Sequence, residues 1–260
     1  INPCESLVQN VDRLFFAPGG IMRSEFDELY NALFANADLY INVVKSMAGH
    51  HEGMSRDEIA KATGVSGGTL TRVLTNLERC DFIARSRNFG QKSKDTIYRL
   101  VDFYTLFYYK FIMQDTAGDE QWWSHNFESR AVSVWQGLTF ETVCLMHTDC
   151  IKRALGISGM ATEISAWRKT AGEGEKGGQI DLIIKRADRI IHLCEMKFSK
   201  SEYRITDAYE QLLRERLELF QSSTKTTFSL VITFVTTYGV ADGLHHSLVH
   251  SEVTMEQLFD

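Results

Sequence analysis

Proline is almost missing from this chain of 260 residues: Pro3 and Pro18 are the only two, both within the first eighteen positions. Domain boundaries must therefore be read from hydrophobic pattern rather than from proline-rich linkers. No apolar run of eighteen residues and no basic-apolar leader occurs, so neither a membrane span nor a secretory signal is expected in it. GxxxxGK(S/T) is also absent, and the chain is not expected to bind ATP by itself. The five cysteines form no CxxC pair, and four of them stand among apolar neighbours, as in a reduced, cytoplasmic protein. Cys144, His147 and Cys150 share a helical face, but three ligands without a fourth read as core packing before metal binding. Internal repeats and low-complexity tracts are lacking as well.

Charge is present but uneven. Residues 1–113 carry 13 Lys and Arg against 13 Asp and Glu, and the remainder carries 15 against 21, which accounts for the whole net charge of −6. Bulk charge thus argues for no polyanion, while a local basic patch could still bind one. The chain begins at Ile1 rather than Met, which implies a shortened or processed product with more chain upstream.

Apolar residues at helical spacing from Glu25 to Gly49, interrupted near Asn36–Asp38, predict two helices. Ser55 with Glu58 three residues on forms a capping box that opens a short helix. Gly64 closes that helix, and Ser66 opens a second one to about Arg79. The spacing is that of a helix-turn-helix. Alternating segments around a Phe89-Gly90 tip then read as the wing of a winged helix, and the aromatic stretch 103–112 as a further helix. On this reading Thr69, Arg72, Thr75, Asn76 and Arg79 face a DNA groove, and Arg85, Arg87, Lys92 and Lys94 contact phosphates. The alternative is a winged helix serving as a rigid spacer. Trp122 and Trp123 are read as interface anchors before a stacking platform.

Beyond a boundary near Ala117 the pattern gives helix, three strands, helix and two strands, with the first helix at about 128–155. The stretch 177–200 reads GGQIDLIIKRADRIIHLCEMKFSK, two apolar strands that nonetheless hold Asp181, Glu195 and Lys197. Glu195 and Lys197 lie two apart on one strand and project to one face. A three-residue turn at Ala187–Arg189 would set Asp181 opposite Glu195, whereas a two-residue turn would send it to the other face, so an odd turn or a bulge is predicted. Two carboxylates at that range repel unless a divalent cation binds between them. Mg²⁺ or Mn²⁺ would take Asp181, Glu195 and a backbone carbonyl such as that of Met196, with Lys197 orienting or deprotonating a water.

An acidic residue at a strand end followed by Glu195-Met196-Lys197 on the next strand resembles the PD-(D/E)XK nuclease superfamily, with Glu141 matching the acid its first helix carries. Ile180 stands where many members have proline. A Gln-x-x-x-Tyr signature of some members is absent, Tyr209 and Gln211 standing in a different order. A narrower likeness covers nearly the whole chain. The winged helix, Trp135, Gly137, Phe140 and Glu141, and the two strands are similar to the C-terminal region of AAA/STAND-type ATPases. The resemblance implies a mixed α+β and α/β chain. Residues 1–37 would be the remnant of ATPase lid helices, 38–117 a winged helix-turn-helix with its trailing aromatic helix, and 118–260 a restriction-endonuclease-like αβββαβ domain. It further implies a Mg²⁺-dependent deoxyribonuclease attached to an upstream ATPase domain, with DNA as partner. The alternative is a catalytically silent nucleic-acid- or protein-binding regulatory module of that ATPase. Whether several copies assemble is left open.

Overall fold

The computed structural model describes residues 1–90, 96–114, 118–172 and 176–260. It is a mixed α+β chain whose helices and two sheets divide into two compact units, Ile1–Arg85 with Ile97–Trp135, and Ser86–Thr96 with Gln136–Asp260. The boundary expected near Ala117 falls outside the described residues; by contact, the first unit runs on past that position to Trp135. No helix among the described residues is long and apolar enough to cross a membrane.

The first unit opens with α1 (Leu7–Val11), followed by α2 (Ile21–Leu33) and α3 (Ala37–Met47), the pair that the interrupted period predicts. After the two-residue strand β1 (Met54–Ser55) come α4 (Arg56–Thr63), α5 (Gly67–Arg79), β2 (Ile83–Arg87) and β3 (Thr96–Leu100), in a sheet of order β1-β3-β2. Ser55 and Glu58 cap α4 reciprocally. Glu58 N donates to Ser55 Oγ at 3.2 Å, and Ser55 N donates to Glu58 Oε2 at 2.7 Å. Gly64 ends the helix at φ 71°, the left-handed geometry that glycine adopts without a Cβ penalty. Ser55→Ala should therefore lower stability by about 1 kcal/mol, read as a shift of the urea midpoint at unchanged slope.

Amphipathic spacing buries Val43, Val44, Leu70, Val73, Leu74 and Leu77 against Phe26 and Tyr30 of α2. Tyr30 is fully buried, and its hydroxyl is satisfied by Thr105 Oγ1 at 3.1 Å. A second cluster joins Phe16, Phe107 and Phe111 to Trp123 and Trp135. It is built by α6 (Phe103–Phe107), its widened continuation Tyr108–Ile112, and α7 (Trp122–Asn126). The buried carboxylate of Asp12 accepts from the backbone N–H groups of Trp123 and Ser124, and Trp122 stacks on Phe16 at 5.4 Å. The tryptophan pair is thus an anchor within its own unit.

In the second unit α8 (Arg130–Met146), which belongs to it from Gln136 onward, and α9 (Thr148–Ala154) precede β4 (Thr162–Lys169), β5 (Gly178–Arg186) and β6 (Ile190–Lys197). After them come α10 (Asp207–Thr224), β7 (Ser229–Thr236) and β8 (Val249–Thr254). One continuous helix was expected over 128–155. It breaks at His147, where Nδ1 bonds back to Val143 O and Thr148 Oγ1 donates to Leu145 O, side-chain bonds that compete with the helical ladder. The sheet runs β4-β5-β6-β7-β8, antiparallel across β4-β5-β6 and parallel across β6-β7-β8. Both faces are covered. Phe140, Cys144 and Ile151 pack on Leu182, Cys194 and Met196, while Phe220 of α10 packs on Ile183 and Leu193. This is why β5 and β6 are apolar on both sides.

The tip of the β2–β3 hairpin departs from the polar tip expected of it. Phe89 belongs to the second unit, where its N–H donates to Ala166 O at 2.7 Å and its ring lies 5.0 Å from Phe220. Apolar burial outweighs exposure for that side chain.

Candidate functional site

β5 and β6 pair as Leu182↔Cys194, Ile183↔Leu193, Ile184↔His192 and Lys185↔Ile191, which leaves Ala187, Asp188 and Arg189 as a three-residue turn. Arg189 takes φ 69°, the left-handed residue such a turn needs, and its N–H bonds to Arg186 O at 3.3 Å. The pairing ends at Leu182↔Cys194, next to Asp181 and Glu195. A bulge adds to this. Against β4 the pairing steps from Ser165↔Ile183 to Trp167↔Ile180, so three steps on β5 span two on β4, and the surplus lies at Asp181–Leu182. Ile180 and Ile183 accordingly share one apolar cluster, which strict alternation would forbid. Bulges of this kind re-aim a side chain, here the aspartate.

Glu141 from α8, Gln179 and Asp181 from β5, Glu195 and Lys197 from β6, and Arg216 from α10 line one pocket of about 250 Å³. Met196 borders it too, with its side chain in the apolar cluster beside α8. Glu195 is 7% exposed, and both of its oxygens are engaged. Arg216 Nη1 donates to Oε1, Tyr209 Oη donates to Oε2 at 2.7 Å, and Lys197 Nζ stands 3.7 Å from Oε2. Burial, reinforced by the Glu195 carboxylate, pushes the Tyr209 hydroxyl far up, so it remains a donor. For Arg216, burial works against the charge but Glu195 outweighs it, and the guanidinium is held above its ordinary value. Asp181 Oδ1 accepts from Gln179 Nε2 at 2.7 Å.

The four residues expected to act together therefore share a pocket, and among the described residues no three His, Cys, Asp or Glu side chains are grouped to hold a metal ion. The acids as placed do not fit a divalent cation, because both oxygens of Glu195 are already engaged, one by Arg216 and the other by Tyr209. Cys144, His147 and Cys150 form no such group either. Arg216 and Tyr209 are what sequence reading missed. Tyr209, Leu213, Arg216 and Phe220 fall at i, i+4, i+7 and i+11 on α10, and Leu213 and Phe220 are buried, so one stripe carries all four toward the sheet.

In the first unit, α5 exposes Thr69, Arg72, Thr75 and Arg79 while burying Leu70, Val73, Leu74 and Leu77. Asn76, also expected on the contact face, is half-buried, and its amide donates to Tyr40 Oη at 2.8 Å. Arg85 is ion-paired with Glu78 at 2.7 Å, and Arg87 is exposed. Lys92 and Lys94 lie outside the described residues.

Compared with known families, residues 46–90 are similar to the MarR family, a match that covers α4, α5 and β2 and supports a winged helix there. No curated protein matches the chain.

Proposed function

We propose that the chain is a DNA-binding regulatory module whose winged helix engages duplex DNA through α5. The likeness of residues 46–90 to the MarR family carries this reading. The exposed face of α5 supports it: Arg72 and Arg79 would reach phosphates, and Thr69 and Thr75 base edges or sugar. The net charge of −6 confines the attraction to this local face. In the second unit, Glu195 bound by Arg216 and Tyr209 speaks for a catalytically silent pocket. On the likeness to AAA/STAND-type ATPases alone, the proposed partner in cis is an upstream ATPase domain.

The test is fluorescence anisotropy of a labelled duplex titrated with the full chain in EDTA. Binding is expected, weakened about tenfold by Arg72→Ala with Arg79→Ala, and the log–log salt slope should flatten by about 2. No binding, or binding that the double variant leaves unchanged, would refute the reading.

A second reading, metal-dependent phosphodiester hydrolysis, is favoured by the single pocket that Asp181, Glu195, Lys197 and Glu141 line. Mg²⁺ or Mn²⁺ belongs to this reading alone. Incubation with plasmid and linear DNA in Mg²⁺, Mn²⁺ or EDTA decides between the two. Cleavage that needs the metal and vanishes in both Glu195→Ala and Lys197→Ala would establish hydrolysis, and equal degradation by all three proteins would mark contamination.

A further inference from the structure

We propose that Arg216 is the standing cation of the carboxylate pocket, holding Glu195 in the place that a divalent ion would otherwise take. This rests on the silent-pocket part of the reading above and not on duplex binding.

Three carboxylates (Glu141, Asp181 and Glu195) and two cations (Lys197 and Arg216) line the pocket, and of the cations Arg216 makes the closer contact. Lys197 Nζ stands 3.7 Å from Glu195 Oε2 and also lies 5.2 Å from the centroid of the Tyr209 ring, so it is divided between two neighbours. The guanidinium, by contrast, is placed by its helix. Arg216 sits between Leu213 and Phe220 on α10, an element of 18 residues, and both flanking side chains are buried. Its exposure is 24% at the side chain against 9% for Glu195, so the pair is shielded from competing water and salt. Tyr209, about two turns earlier on the same stripe of α10, takes the other oxygen of the same carboxylate. A hard cation would need an oxygen that these donors already occupy. One pocket gathers the acids, and α10 supplies their neutralisation from the opposite layer.

The consequence is a gain of affinity on removing a residue, which no purely structural role produces. Full-length protein is titrated with Mn²⁺, and free Mn²⁺ is followed by electron paramagnetic resonance. Arg216→Gln should bind one Mn²⁺ at least about tenfold more tightly than the parent chain, and Asp181→Asn added to it should abolish the gain. Arg216→Met, which retains the apolar stem, gives the same readout should the glutamine variant fold poorly. Equal Mn²⁺ affinity in the parent and both Arg216 variants would overturn the proposal, and so would a gain that survives Asp181→Asn. Loss of duplex binding in the anisotropy experiment would leave it untouched.

Discussion

Glu195→Ala should destabilise the second unit by about 3 kcal/mol, the cost of leaving one member of a buried ion pair without its partner. The truncation strands the Arg216 guanidinium and removes the acceptor of the Tyr209 hydroxyl, both on the inner stripe of α10. The sign discriminates between the two readings of the pocket. In a working hydrolytic centre, acids are held together at a cost to stability, so removing one tends to stabilise the fold. In a pocket neutralised from within, removal costs. Glu195→Gln combined with Arg216→Gln removes both charges and should recover most of the loss, leaving a coupling of about 2 kcal/mol between the sites. Hydrogen exchange of the β6 and β7 amides reports on this unit specifically; unchanged or stronger protection in Glu195→Ala would defeat the claim.

How much of this was legible in the sequence depended on whether the deciding contact was local. The capping box at Ser55, the stop at Gly64 and the two helices around Asn36 are set by neighbours within a few residues, and the structure shows each of them. The β5–β6 register also came from local turn chemistry: an odd turn was expected at Ala187–Arg189, and the pairing leaves those three residues as the turn. Arg216 lies 21 residues beyond Glu195 along the chain, and its pairing appears only once α10 is laid across the sheet. Its signal was nonetheless present. An arginine and a tyrosine on the apolar stripe of a helix demand a buried partner, and Glu195 was the buried acid lacking one. Phe89 misled for the opposite reason. A wing tip is usually exposed, but here Phe220, distant in sequence, packs against its ring.

Acidification should weaken the second unit through His192, a histidine that neither reading of the pocket employs. It is 2% exposed on β6, and Nδ1 lies 2.8 Å from Thr233 Oγ1 while Nε2 lies 3.3 Å from Arg186 Nη1. A guanidinium can only donate, so Nε2 accepts and Nδ1 carries the proton that Thr233 receives. The ring is therefore built in as neutral imidazole. Burial, joined by the Arg186 charge and by His250, lowers its pKa to about 4. An unfolded chain would titrate this group near 6.5, so between those values the unfolded state holds the extra proton. Stability is fully present above about pH 6.5 and declines as the pH falls to about 4, a loss of about 3 kcal/mol from this one group. His192→Gln keeps a side chain able to reach both neighbours but cannot take up the proton, so its unfolding free energy should lose this slope between pH 6.5 and 4. Parallel pH profiles for the parent chain and His192→Gln, measured by denaturant unfolding with the β6 amides as probe, would show that the ring is not the group responsible.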